Sequence, residues 1–198
     1  MHEEFWETRS DRPTKIELFQ LWVNLPSKLK MSPPAIRYIG DEWGTSYGES
    51  AYVDASSGVR TRVRTIDGPT LEAAVKGEGD VLAPRPAVQI RHATIGPGGA
   101  WVAPADAHHT AMAYVRSGTV LVNGQVLGEA KAGSTCTFNM DGDTTWLVNA
   151  NRAEPADVLL LTGAPLREPV ALGGPIVMNY EAEIQKAYAE LRAGTFLG

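Results

Sequence analysis

The chain has 198 residues, 43% of them hydrophobic and 21% charged, and a formal net charge of −5. That balance belongs to a folded protein rather than a disordered one, and the acidity argues against a general affinity for nucleic acid or anionic membrane. Cys136 is the single cysteine, so no internal disulfide is expected and nothing in the thiol content points to secretion.

In chain order, Phe5 and Trp6 bring core-type side chains to the start, so residues 2–8 read as the end of a strand. The first twelve residues contain no apolar centre of the kind a signal peptide needs. Residues 16–25 alternate Leu21, Val23 and Leu25 with Gln20, Trp22 and Asn24, which predicts a strand. Pro33 and Pro34 exclude helix from the loop 26–34, and 35–39 and 49–53 read as further strands. Over 59–66, Val59, Thr61, Val63 and Thr65 alternate with Arg60, Arg62 and Arg64. A solvated edge strand protected by its charges is the expectation, with an anion or acidic-partner site as the other reading.

Residues 77–86 form a loop into the stretch that organises the chain, 87–162. Six short strands are predicted there, at 88–95, 107–116, 119–123, 134–139, 144–150 and 157–162. Gly96-Pro97-Gly98-Gly99, Ser117-Gly118, Asn123-Gly124 and Asp141-Gly142-Asp143 separate them. Asn-Gly between apolar runs is a strong hairpin signal. Many short strands punctuated by Gly and Pro indicate a sandwich, a jelly roll or a closed barrel. Residues 163–179 read as irregular. Glu181–Ala193 reads as a helix capped by Asn179, stopped by Gly194, and striped with Ile184, Ala187, Tyr188 and Leu191. No apolar run approaches the ~20 residues of a membrane span, and an intracellular protein is expected.

Two stretches carry a resemblance. Gln20-Leu21-Trp22-Val23-Asn24-Leu25-Pro26, continuing to Lys30-Met31-Ser32-Pro33-Pro34, resembles the segment joining the two barrels of the pirin family. Pro165-Leu166-Arg167-Glu168-Pro169-Val170, then Gly174-Pro175-Ile176-Val177-Met178-Asn179 and an amphipathic helix, resembles that family's C-terminal signature. The resemblance implies a bicupin, of which this chain carries the later part. The expected fold is all-β: a cupin (jelly-roll) barrel over 61–163, preceded over 1–60 by the remnant of a first barrel and its linker strand. A return segment and one helix follow over 164–198.

The family's association with iron, with quercetin 2,3-dioxygenase activity and with transcriptional co-regulation implies a metal site in the first barrel. That site uses a His-x-His strand and a later His-x-Glu pair, onto which His2 and Glu4 fall. Residues i and i+2 of a strand share a face, and imidazoles with a carboxylate suit Fe(II). The His-x-His strand has no counterpart in these 198 residues, so Fe(II) is expected to bind weakly or not at all. In the second barrel, His92, Asp106 and His108 form an alternative set, Asp106 and His108 having i, i+2 spacing. Strand-end histidines with ordinary hydrogen bonds are the plainer reading, and Cys136 reads as a small core residue.

Two functions compete. One is a non-catalytic binding or regulatory module, or a subunit of a larger assembly, with a protein partner or self-association through the N-terminal third and the C-terminal helix. The other is an iron-dependent dioxygenase of the quercetinase type, recorded without its N-terminal metal-binding half. There Glu4 would be ligand and base for a flavonol hydroxyl.

Overall fold

A computed structural model of the chain describes residue 5 and residues 8–32, 48–67, 88–124 and 128–196. Among them lie twelve strands and one α-helix. The strands are β1 (Gly48–Val53), β2 (Arg60–Asp67), β3 (Val88–Ile95), β4 (Ala100–Pro104), β5 (Thr110–Ser117) and β6 (Thr119–Val122). They continue with β7 (Glu129–Lys131), β8 (Thr135–Phe138), β9 (Thr144–Asn149), β10 (Ala156–Gly163), β11 (Ala171–Gly173) and β12 (Ile176–Met178), followed by helix α1 (Glu181–Ala193).

Two antiparallel sheets make the barrel, one ordered β1-β2-β3-β10-β5-β8 and the other β4-β9-β6-β7. The register shows why these sequences fold against each other. Val63 pairs with Ala93, Ala93 with Val158, and Val158 with Val115, so one apolar row crosses four strands of the large sheet. In the small sheet Trp101 pairs with Leu147 and Leu147 with Val122. Both rows belong to a single buried cluster that also takes in Ile95, Val120 and Leu160. Each fully buried aliphatic side chain contributes about 1.5–3 kcal/mol, which makes this cluster the main source of the fold's stability. Between β5 and β6 the chain reverses at Gly118, φ +81°, where a Cβ would meet the Ala156 backbone at 2.9 Å. No other residue type fits both constraints.

Several expectations change. Residues 16–25 form no strand: among the described residues they pair with no ladder. The alternation reflects an extended backbone laid as a strap across the outer face of the large sheet. Phe19 packs edge-on against Tyr114 of β5, ring centroids 5.6 Å apart, and Glu17 receives Arg116 at 2.9 and 3.0 Å. Strand β2 is not an edge, because β1 lies outside it, and Glu49 of β1 accepts from Arg64 Nε at 3.3 Å. The hairpin β1–β2 joins the barrel's own sheet, so a boundary at 60/61 divides two paired strands.

Segment 163–179 contains the β11–β12 hairpin, on which α1 packs through Ile184 and Tyr188; the Tyr188 hydroxyl donates to Gly173 O at 3.0 Å. Asn179 is not the helix cap. Tyr180 holds that position, and Glu183 reaches back to accept from the Tyr180 and Asn179 backbone N–H groups at 2.8 and 3.0 Å. Strands β4 and β7, which the sequence reading left out, complete the small sheet. The predicted strand 35–39 and the loop 77–86 lie outside the described residues.

Candidate functional site

His2 and Glu4 also lie outside the described residues. The alternative set His92, Asp106 and His108 is not brought together. On β3 the inward residues are Gln89, Arg91, Ala93 and Ile95, so His92 points to the opposite, outer face. Asp106 and His108 lie in a turn between β4 and β5 rather than on a strand, which removes the shared face their spacing suggested. His108 takes the left-handed conformation, φ 66°, and its backbone N–H donates to Met140 O at 3.1 Å. Asp106 instead lies 3.4 Å from His109 Nδ1. Among the described residues no three His, Cys, Asp or Glu side chains are placed to hold a metal ion, so these residues do not fit an iron centre. Cys136 is half-buried and packs against the core.

Three polar constellations take the place of that site. On the outer face, Asp157 Oδ1 accepts from Thr94 Oγ1 at 2.7 Å, while Oδ2 accepts from Ser117 Oγ at 3.1 Å and Arg116 Nη1 at 3.3 Å. His92 Nε2 stands 3.4 Å from Asp157 Oδ1 without hydrogen-bond alignment and is buried with no partner. Burial pushes the His92 pKa down, against the pull of the Asp157 carboxylate. Ser117 donates to the aspartate and not to the histidine, so no nucleophile–base pair exists here. Arg116 links this cluster to the strap, and the Glu17 hydrogen bond pushes its pKa up.

At one end of the barrel interior, Arg91 donates to Pro104 O at 2.8 Å and to the Gln89 side chain. Gln89 Nε2 reaches Asp106 Oδ2 at 3.5 Å. Burial pushes the Arg91 pKa down, opposed by Asp106. Sequence reasoning missed this residue, although the period-two pattern of β3 places it in the same row as Ala93 and Ile95.

The third constellation joins the two stretches that carried the resemblance. Glu168 Oε2 accepts from the Ser27 backbone N–H at 2.7 Å and from Asn179 Nδ2 at 3.0 Å. Lys30 Nζ donates to Asn24 Oδ1 at 2.5 Å and Val177 O at 3.3 Å. The Ser27 N–H, with Asn179 and Lys30 behind it, holds the Glu168 carboxyl below its ordinary range. These ties draw 20–24 and 164–170 together over the outward residues of β3, β5 and β10, leaving a groove of about 600 Å³.

Two opposed antiparallel sheets around one apolar interior, with the strap and the hairpin–helix unit outside, define a cupin-type barrel protein. Residues 90–197 match the pirin C-terminal cupin domain, and the chain belongs to the pirin family. It is 34% identical to a pirin-like protein of Caulobacter vibrioides, over 90% of this chain and 58% of that protein. It is 28% identical to Pirin-1 of Arabidopsis thaliana, over 95% of this chain and 59% of that one. The crystal structure of quercetin 2,3-dioxygenase from Acinetobacter baumannii superposes with a TM-score of 0.71 at 25% identity, covering 89% of this chain and 56% of that one. The chain thus spans less than two thirds of the length of these relatives. No described helix is long and apolar enough to cross a membrane.

Proposed function

We propose that this chain acts as a binding or regulatory module of the pirin family, its barrel a rigid platform and its strap and C-terminal helix the docking elements. The observation that carries this reading is the contrast between a close-packed barrel core and the large apolar side chains left exposed outside it. Ile95, Trp101, Val115, Leu147, Val158 and Leu160 are all 3% exposed or less. They pack together as one continuous core. Outside that core, Leu21, Trp22 and Val23 of the strap and Leu191 of α1 all expose large apolar surface. Such surface supports a protein partner or self-association as its cover.

Size-exclusion chromatography with light scattering, joined to hydrogen exchange, tests this. Expected is association through the strap, or fast exchange over 8–32 against slow exchange in β3, β5 and β10. A clean monomer whose strap exchanges as slowly as the barrel defeats the docking reading.

The likeness to the Acinetobacter baumannii enzyme favours a second reading, in which this chain is part of an iron-dependent quercetin 2,3-dioxygenase. His2 and Glu4 would then supply two ligands of a centre completed by further residues. Iron analysis after desalting, with an assay of quercetin consumption, separates the two. Stoichiometric iron lost on His2→Ala or Glu4→Ala would establish the enzyme reading; well under one iron per chain and no turnover are expected.

A further inference from the structure

We propose that the groove beneath the strap is a binding site for a small amphiphilic anion, an aromatic or aliphatic carboxylate or sulfonate. This goes beyond the docking role and does not depend on it. The groove holds about 600 Å³, within the range of small-molecule sites. Its floor and walls are apolar: Ile90, Met112 and Leu161 from the outer sheet face, Leu21 and Val23 from the strap, and Val170 from the return segment. Outward-facing strand positions of a barrel ordinarily carry polar side chains. Here β3, β10 and β5 place Ile90, Leu161 and Met112 side by side, since Leu161 pairs with both of the others.

The rim supplies the charge. Arg167 lines the groove and adopts φ +56°, a conformation that costs free energy for any residue but Gly or Asn and that clusters at ligand sites. Among the described residues no carboxylate pairs with it. The adjacent Glu168 carboxylate is held by Ser27 and Asn179 and is balanced by the nearby Lys30 ammonium, which leaves Arg167 as the charge the rim can offer a ligand. An apolar trough with Arg167 at its rim selects a ligand with a hydrophobic body and an anionic head. Both stretches that carry the family resemblance therefore meet at one concavity, although neither is needed to close the barrel.

The test is a fluorescence titration of the full chain with 1-anilinonaphthalene-8-sulfonate, followed by displacement with naphthalene-2-carboxylate or 2-naphthalenemethanol, which differ in charge and hardly in shape. Expected is one site per chain, displaced about tenfold more readily by the carboxylate, as one charge-assisted contact implies. That preference should vanish in Arg167→Asn, which tolerates the backbone conformation. In Ile90→Asp the probe should no longer bind, with thermal unfolding confirming that each variant remains folded. Equal displacement by acid and alcohol overturns the proposal. So does probe binding that neither substitution changes, or a groove that admits the probe only after a dimer dissociates.

Discussion

Replacing Asn149 tests whether the barrel's end is held by a buried side chain or by its loops alone. Asn149 is fully buried. Its Nδ2 donates to Ile95 O and Gly96 O at 3.2 Å each and to Glu154 O at 2.9 Å, and its Oδ1 accepts from Asn151 N at 3.0 Å. One amide thus ties the β3–β4 turn to the β9–β10 turn. Truncation to Ala leaves the buried Ile95 carbonyl without this donor, at about 1–3 kcal/mol, and weakens two part-buried carbonyls by about 1 kcal/mol each. The expected loss is about 3–5 kcal/mol, a large share of a typical domain's stability.

Asn149→Asp sharpens the test. A carboxylate facing three carbonyls is disfavoured, so the folded-state pKa of the new group lies above its unfolded value near ~3.9. Its stability contribution is then fullest below that unfolded value and is lost as pH rises through the folded pKa. Urea unfolding at pH 4, 5.5 and 7 should show Asn149→Asp losing stability relative to Asn149→Ala as pH rises. A difference between the two variants that stays constant with pH would refute the idea that the amide donors hold these turns.

Leu160→Ala removes a side chain that pairs with Ala113, too small to refill the space, so a loss of about 2–5 kcal/mol is expected in the same unfolding assay. His92 is held below its ordinary pKa by burial. The unfolded chain therefore takes up its proton first, and stability should fall as pH drops from about 6.5 towards the folded pKa. His92→Asn should flatten that slope, and an unchanged slope would show that another group sets it. Glu168 is depressed chiefly by the Ser27 N–H, so its contribution is present above about 4.3 and is lost as pH falls through its folded value. Glu168→Ala should speed hydrogen exchange at 24–32 and 176–179 while leaving β3 and β10 protected.

The elements that the sequence revealed are those in which local pattern and tertiary demand agree. Val88–Ile95 and Glu181–Ala193 appear with the bounds their periodicity predicts. Asn123 and Gly124 both take positive φ, 49° and 70°, as their hairpin chemistry requires. The strap shows where pattern and structure part. Leu21, Val23 and Leu25 alternate as a strand does, but alternation reports only that successive side chains point opposite ways. It does not report whether the backbone finds a ladder. Three-residue β7 is too short for a period to register, the two alanines and the proline of β4 blur its alternation, and the three-residue strands β11 and β12 sit in a stretch that reads as irregular.

Site residues were harder to read for a related reason. Spacing arguments assume a known backbone, and the i, i+2 pairing of Asp106 with His108 fails because that backbone turns. Arg91, by contrast, follows from the phase of β3: once Ala93 and Ile95 are inside, Arg91 is inside as well. The groove could not be read from any single stretch, since its floor comes from three strands and its walls from residues 20–24 and 164–170. What joins them is Glu168, bonded to a backbone amide 141 positions away in sequence, with Lys30 reaching Val177 O beside it. A contact of that separation leaves no periodic trace, but it explains why two stretches irrelevant to barrel closure have the composition they do. Apolar residues line the groove, Arg167 stands at its rim, and the neighbouring acid pins the walls.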